Sequence, residues 1–304
     1  MQLIAIRHTI KQMLTYCILH YKNLKVTKDC VNSLIKTNRD ENNYAIIIID
    51  NGSNNGSGEE LSVVYKDNPL ITVLIDSQNH GFAKGNNIAY SYAKNNLKSD
   101  IIVVMNSDIL VSKDFSAGKI RKQVESSQAD IISPDIITPE GIHQSPLAIK
   151  PHSIRQDLSA YIKNLCLIIL FSIPIIKNSL YEKYSLNKNS KLSIKKNIPT
   201  FNRHDFIPHG ACIIYSNRWI ETEAIAFVPK TFLYAEEDFL YEYAKKKNFR
   251  LFFTEHLKIN HLGSSTVQSE CKTGIKTLLF RAKEQNKSLL KLIRYKLTIK
   301  CPKN

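Results

Sequence analysis

The sequence predicts an α/β protein built on an open, mostly parallel sheet. Three observations carry this. Apolar runs rich in β-branched residues recur at 13–19 (MLTYCIL), 44–50 (YAIIIID), 70–76 (LITVLID) and 100–108 (DIIVVMNSD). They lack polar alternation, as strands buried on both faces do. Helical spacing lies between several of them. Asp50, Asp76 and Asp108 each close a strand, and open parallel sheets bind ligands at the carboxyl ends of their strands.

The elements follow in order. After the strand at 13–19, Val26, Cys30, Val31 and Leu34 in NLKVTKDCVNSLIKT (23–37) recur at helical spacing. The run YAIIIID leads into a polar, Gly-rich turn, NGSNNGSGEE (51–60), which holds three of the ten glycines. GFAKGNNIAYSYAKNN (81–96) reads as a helix opened by a Gly-containing turn.

After residue 150 the rhythm breaks. Residues 154–200 mix an apolar stretch with Lys and Asn; its core, LCLIILFSIPII (165–176), is too short to span a bilayer and is interrupted by Pro174. HGACIIYS (209–216) reads as a strand and TFLYAEEDFLYEYAKKKNF (231–249) as a turn entering a helix. That helix starts acidic and ends basic, which suits its dipole. RLFFTEHLKINHLGSS (250–265) reads as a strand and a loop. Residues 272–300 read as one or two basic amphipathic helices, with Ile275, Leu278, Leu279, Leu289, Leu292 and Ile293 among Lys and Arg. The chain divides into a domain at 1–267, with 154–200 as an insert, and a helical segment at 268–304.

Charge is uneven. Residues 1–150 carry 16 Lys+Arg against 15 Asp+Glu, and residues 151–304 carry 26 against 12. The basic half suits anionic lipid, nucleic acid or phosphorylated substrates. The six cysteines form no CxxC and have no zinc-like spacing to His, which fits a reducing cytoplasm. The first 20 residues hold no continuous apolar core of a signal peptide.

Five stretches could carry chemistry. Asp50, followed by Asn51-Gly52-Ser53, can accept hydrogen bonds from a flat heterocycle while the glycine lets backbone approach. NHGFAKGNN (79–87) can offer backbone N–H groups to a phosphate, although it is neither a Walker loop nor GxGxxG. MNSD (105–108) suits a hard divalent cation. YAEED (234–238) crowds three carboxylates, which raise one another's pKa and can furnish a general base. His261 in NHLGSS (260–265) can meet phosphate or metal.

Taken in order, HYKN, DNGSNNGS, NHGFAKGNN, NSD, HGA, FLYAEED and NHLGSS over roughly 13–267 resemble the inverting family 2 glycosyltransferases of GT-A fold. The likeness is greatest to bacterial, rhamnosyltransferase-like enzymes of O-antigen and capsule assembly. The resemblance implies a UDP- or dTDP-sugar donor. It places Asp50 on the nucleotide base, the backbone near His20 and Tyr21 beside it, and Asn79, Gly81 and Asn86 along the nucleotide. The family's DxD motif is here Asn106-Ser107-Asp108, so Asp108 alone supplies a carboxylate to Mg²⁺ or Mn²⁺ on the diphosphate. Glu237 falls where the family's catalytic base stands, with Asp238 as rival one register later. Gly210 and Ala211 line the acceptor side, and His261 with Ser264 or Ser265 approaches the diphosphate. The implied acceptor is a lipid-linked oligosaccharide, which places the protein in the cytoplasm, peripheral on the inner membrane face against anionic lipid.

Two other classes compete. A nucleotidyltransferase of related fold needs a Gly-rich basic loop after the first strand, and residues 17–25 have none. A basic nucleic-acid-binding protein needs a recognisable module in the basic half, and none is present, so nucleic acid is not an expected partner.

Overall fold

Four parallel strands form one half of the sheet where the sequence predicts them: β1 (Leu14–His20), β2 (Tyr44–Asn51), β3 (Ile71–Asp76) and β4 (Ile101–Asn106). The structure, a computed structural model, describes residues 12–173, 198–263 and 274–300. In β2, Ile46 and Ile48 enter the core on one face of the sheet while Ile47 and Ile49 enter the core on the other. Both faces are dry, which is why the run shows no polar alternation. The register sets His20 opposite Asp50, Asn51 opposite Asp76, and Leu19 opposite Asn106. The ends of these strands therefore share one edge.

On one face lie α1 (Leu24–Thr37), α2 (Ser57–Tyr65) and α4 (Ala117–Ser127), anchored by Val31, Leu34, Leu61, Tyr65 and Ile120. On the other lie α3 (Gly81–Asn95), α6 (Asn217–Thr222) and α7 (Glu236–Lys246), anchored by Ala89, Tyr90, Trp219, Leu240 and Ala244. The sequence reading treats residues 51–60 as a turn throughout, yet α2 begins at Ser57. Its sequence, SGEELSVVY, buries only Leu61 and Tyr65 among its large apolar residues, while Val63 and Val64 are exposed. One buried i, i+4 pair is too little periodicity to read.

The second half of the sheet is mixed. It contains β5 (Ile109–Val111), β6 (Ile131–Ile137), β7 (Cys212–Tyr215) and β8 (Leu251–His261), in the overall order β3-β2-β1-β4-β7-β6-β8-β5. β7 runs antiparallel to β4 and β6, β5 antiparallel to β8, and β6 parallel to β8. Residues 112–150, which carry no element in the sequence reading, contain α4 and β6.

Residues 154–172 form one helix, α5 (Ile154–Ser172), started by a capping box in which Ser153 and Gln156 satisfy each other's backbone N–H. The basic C-terminal segment is also one helix, α8 (Gly274–Lys300). Contacts of Asp157 with Lys296, and of Asn164 with Gln285, show that α5 and α8 pack antiparallel. Leu292 of α8 is buried against Val228 and Phe239. The amphipathic face of α8 is thus used inside the protein.

Candidate active site

The turn after β2 is tightly self-bonded. Asp50, 2% exposed, accepts from the Ser53 backbone N–H at 3.2 Å and from the Ser53 hydroxyl. The Lys22 N–H donates to Ser53 Oγ at 2.7 Å. Gly52 has φ +69°, and a Cβ there would lie 2.4 Å from the backbone of Gln78 and Asn79. The close approach that this glycine permits is to the 78–79 loop of the protein itself. His20 is buried, its ring bridging Thr27 at 2.7 Å and Ser57 at 2.8 Å. Burial holds its pKa below the ordinary histidine value, with the Asp50 charge opposing. Its side chain is spent on α1 and α2, which leaves backbone as the part a ligand could meet.

The 79–82 loop is pinned from two sides. Asn51 accepts from the His80 N–H at 3.1 Å and donates to Asn79 Oδ1 at 3.1 Å and Gly81 O at 3.2 Å. Phe82 N–H donates to Phe232 O at 2.8 Å, and a Cβ on Gly81 would stand 2.3 Å from that oxygen. This loop therefore packs directly on the segment that leads into α7. Asn86, 1% exposed, donates to Phe82 O at 3.0 Å. Asn87 takes the Ala226 and Phe227 N–H groups and donates to Phe227 O.

At the end of β4, Asp108 Oδ1 lies 3.2 Å from His261 Nε2. His261 Nδ1 is 2.6 Å from Gln144 Oε1. An amide oxygen cannot donate, so Nδ1 carries the proton. Nε2 of the same ring faces the Asp108 carboxylate, a nitrogen and an oxygen that could together hold a divalent ion. Beside it, His209 Nδ1 accepts from the Ala211 N–H at 3.1 Å, which puts the ring proton on Nε2. Burial, then the neighbouring His261, push the His209 pKa down to about 4, so the ring is a neutral donor.

The first turn of α7 carries Glu236, Glu237 and Asp238. Two consecutive non-glycine residues with positive φ, Tyr234 at 72° and Ala235 at 65°, precede it. Such backbone costs energy and is held by its surroundings. Glu236 is 3% exposed and accepts from the Thr231 hydroxyl at 2.9 Å. Glu237 Oε1 accepts from the Gly210 N–H at 3.1 Å. Burial raises both carboxyls above the ordinary glutamate value; the Glu237 charge adds to this for Glu236 and the Asp238 charge for Glu237.

Glu237 opens on a cavity of about 760 Å³ that also borders Asn106, His209, α5 and α8. Asp238, by contrast, is engaged by His152 Nδ1 at 3.0 Å, and that hydrogen bond raises the His152 pKa. His152, Asp157 and Asp238 stand close enough to share an ion. However, the Lys296 ammonium already lies 2.7 Å from Asp157, 3.5 Å from Glu242 and 2.8 Å from the His152 carbonyl. A buried cation thus already neutralises Asp157, one of the three.

The sequence of residues 15–223 matches the family described as Glycosyl transferase family 2. The chain belongs to glycosyl transferase family 2. A Bacillus subtilis (strain 168) relative, "Uncharacterized glycosyltransferase YfnE", is 36% identical over 92 residues, 30% of this chain and 22% of that one. Among solved structures, S. aureus TarS has a TM-score of 0.53 at 13% identity, covering 94% of this chain and 40% of that one. Its 1–349 fragment in complex with UDP-GlcNAc gives 0.53 at 11% identity, with 94% and 72% covered. At such identities the likeness is one of fold: the α/β, mostly parallel GT-A architecture that the resemblance implies.

In this family 2 glycosyltransferase, then, Asn106, Gly210, Ala211 and Glu237 line one cavity, and the Asp108–His261 pair lies next to it, with the His261 ring 5.9 Å from the ring of His209, which borders the same cavity. Asp50, Asn79 and Gly81 line the neighbouring edge, and Asn86 is buried in α3. Ser264 and Ser265 lie outside the described residues. Gln144, Asn51 and His152 were missed by sequence reasoning. Gln144 sits in a loop without regular pattern, and Asn51 reads as part of the turn rather than as its clamp.

Proposed function

We propose that this chain transfers a hexosyl or deoxyhexosyl group, with inversion, from a UDP- or dTDP-sugar to a hydroxyl of a lipid-linked oligosaccharide in bacterial surface-glycan assembly (O-antigen, capsule, lipopolysaccharide). It works as a peripheral protein on the inner face of the cytoplasmic membrane. The observation that carries the reading is Glu237, a half-buried carboxylate of raised pKa opening on a cavity that His209 also borders, with the Asp108–His261 pair next to that ring.

The proposed chemistry is a single displacement. The acceptor hydroxyl lies at Glu237, which takes its proton as the oxygen attacks the anomeric carbon. The bond to the diphosphate breaks on the opposite face, so the centre inverts without a covalent enzyme intermediate. Asp108 and His261 are the residues that would hold Mg²⁺ or Mn²⁺. When bound, that ion offsets the charge of the departing diphosphate. The neutral His209 Nε2–H adds a hydrogen-bond donor beside it. Asp238, engaged by His152, is the less available base.

The test is release of nucleoside diphosphate from a panel of UDP- and dTDP-sugars, with extracted bacterial membrane lipids as the acceptor source. Glu237→Gln is expected to abolish release, and Asp238→Asn to retain most of it. The reverse pattern assigns the base to Asp238.

A further inference from the structure

Helix α5 exposes an apolar stripe on the face opposite the one by which it packs. Ala160, Asn164 and Leu167 face the cavity and α8. Leu158, Ile162, Leu165 and Ile169 follow one another at steps of four, three and four residues, which places them on one stripe of the other face, and Ile173 follows just past the end of the helix. They are 47, 51, 40, 56 and 39% exposed. A helix packed on a globular domain normally turns polar residues outward. Here the stripe runs for roughly 16 Å along the helix, at 1.5 Å per residue. Single exposed apolar residues need no explanation, but a continuous stripe does.

Charge complementarity selects the occupant. The partner helix α8 carries eight Lys or Arg residues and a single Glu. Lys276, Lys283, Lys287, Lys291 and Arg294 of α8 are exposed. A helix pair that combines an outward apolar stripe with exposed Lys and Arg matches the boundary between anionic headgroups and acyl chains. No helix among the described residues is long and apolar enough to cross a membrane, so the match is to lying on the surface.

We infer that the outer face of α5 seats in an anionic bilayer, and that its inner face leads a membrane-held acceptor to Glu237. α8 is the basic flank rather than the anchor, because its Leu292 and Ile293 are buried and Lys296 is locked to Asp157. The second part of the inference rests on the lipid-linked acceptor proposed above; the first does not.

The experiment is sedimentation of the full chain with phosphatidylcholine vesicles and with phosphatidylcholine–phosphatidylglycerol vesicles, for wild type and for Ile162→Glu/Ile169→Glu. Both positions are more than half exposed, so the variant leaves the core intact. Wild type is expected to bind the anionic vesicles only, and the double variant to bind them at least about tenfold more weakly, as loss of buried apolar area dictates. Equal binding by both proteins overturns the assignment of the surface. Failure of wild type to bind overturns the membrane altogether. A wild-type dimer that the variant dissociates, without vesicle binding, gives the stripe to a second copy. A nucleotide-induced thermal shift measured on the same proteins reports separately on the transferase reading.

Discussion

The Glu237 carboxylate reaches the Gly210 N–H only because residue 210 has no side chain: a Cβ there would lie 2.5 Å from Glu237 Oε1. The HGA segment and the first turn of α7 are therefore built against each other. Gly210→Ala is expected to displace the carboxylate and reduce turnover by about 100-fold, the cost of a displacement near 1 Å. Nucleotide binding should survive. Steady-state release assays beside nucleotide titration check this.

The pH profile carries a second prediction. A base must be deprotonated, and Glu237 titrates above the ordinary glutamate value near 4.3. Activity should therefore fall on the acid side with a limb that lies above that value. A limb at the ordinary value would show that the Glu237 carboxyl is not the titrating base.

Glu236 gives a signed stability prediction. Its carboxyl is raised by burial, so the folded chain holds its proton more tightly than the unfolded chain. That contribution is present below the unfolded pKa and is lost as pH rises through the folded value. Glu236→Gln, which keeps an acceptor for Thr231, should raise Tm relative to wild type at alkaline pH. The gain should vanish in acid. Melting curves over a pH series check both ends.

Gln144 holds the ring of His261 at Nδ1. Gln144→Leu should weaken Mn²⁺ affinity by about 10- to 100-fold, as loss of a residue that orients a metal ligand does. Gln144→Glu should preserve the ring orientation. Isothermal titration of the nucleotide-bound protein with Mn²⁺ distinguishes the two variants.

Lys296 is buried between Asp157 and Glu242. Lys296→Met leaves a buried carboxylate without its cation and should cost about 3–5 kcal/mol. Adding Asp157→Asn should recover part of the loss. Denaturant unfolding of the two single variants and the double variant closes the cycle.

How far the sequence speaks depends on where information is stored. β2 announces itself because YAIIIID is buried on both faces and nothing polar interrupts it. NxGFAxGNN is legible as a motif, although Asn86 and Asn87 prove to bond Phe82, Ala226 and Phe227 of the protein itself. Asp108, Gly210, Glu237 and His261 are widely separated in sequence, and only the resemblance unites them. α2 hides because two anchors make no periodicity. Gln144 hides because its role is set by a hydrogen bond across 117 residues, which leaves no local trace. The outer stripe of α5 is visible as an apolar run, but which face is exposed depends on α8, packed antiparallel from the far end of the chain.

The most direct measurement is a thermal-shift comparison with UDP and dTDP, each with and without Mn²⁺, on wild type, Asp108→Ala and Glu237→Gln. A ligand that binds only the native state raises the midpoint. The account predicts a Mn²⁺-dependent shift with at least one nucleotide in wild type, lost in Asp108→Ala and kept in Glu237→Gln. No shift with either nucleotide in wild type, or a shift that survives Asp108→Ala and disappears in Glu237→Gln, would contradict it.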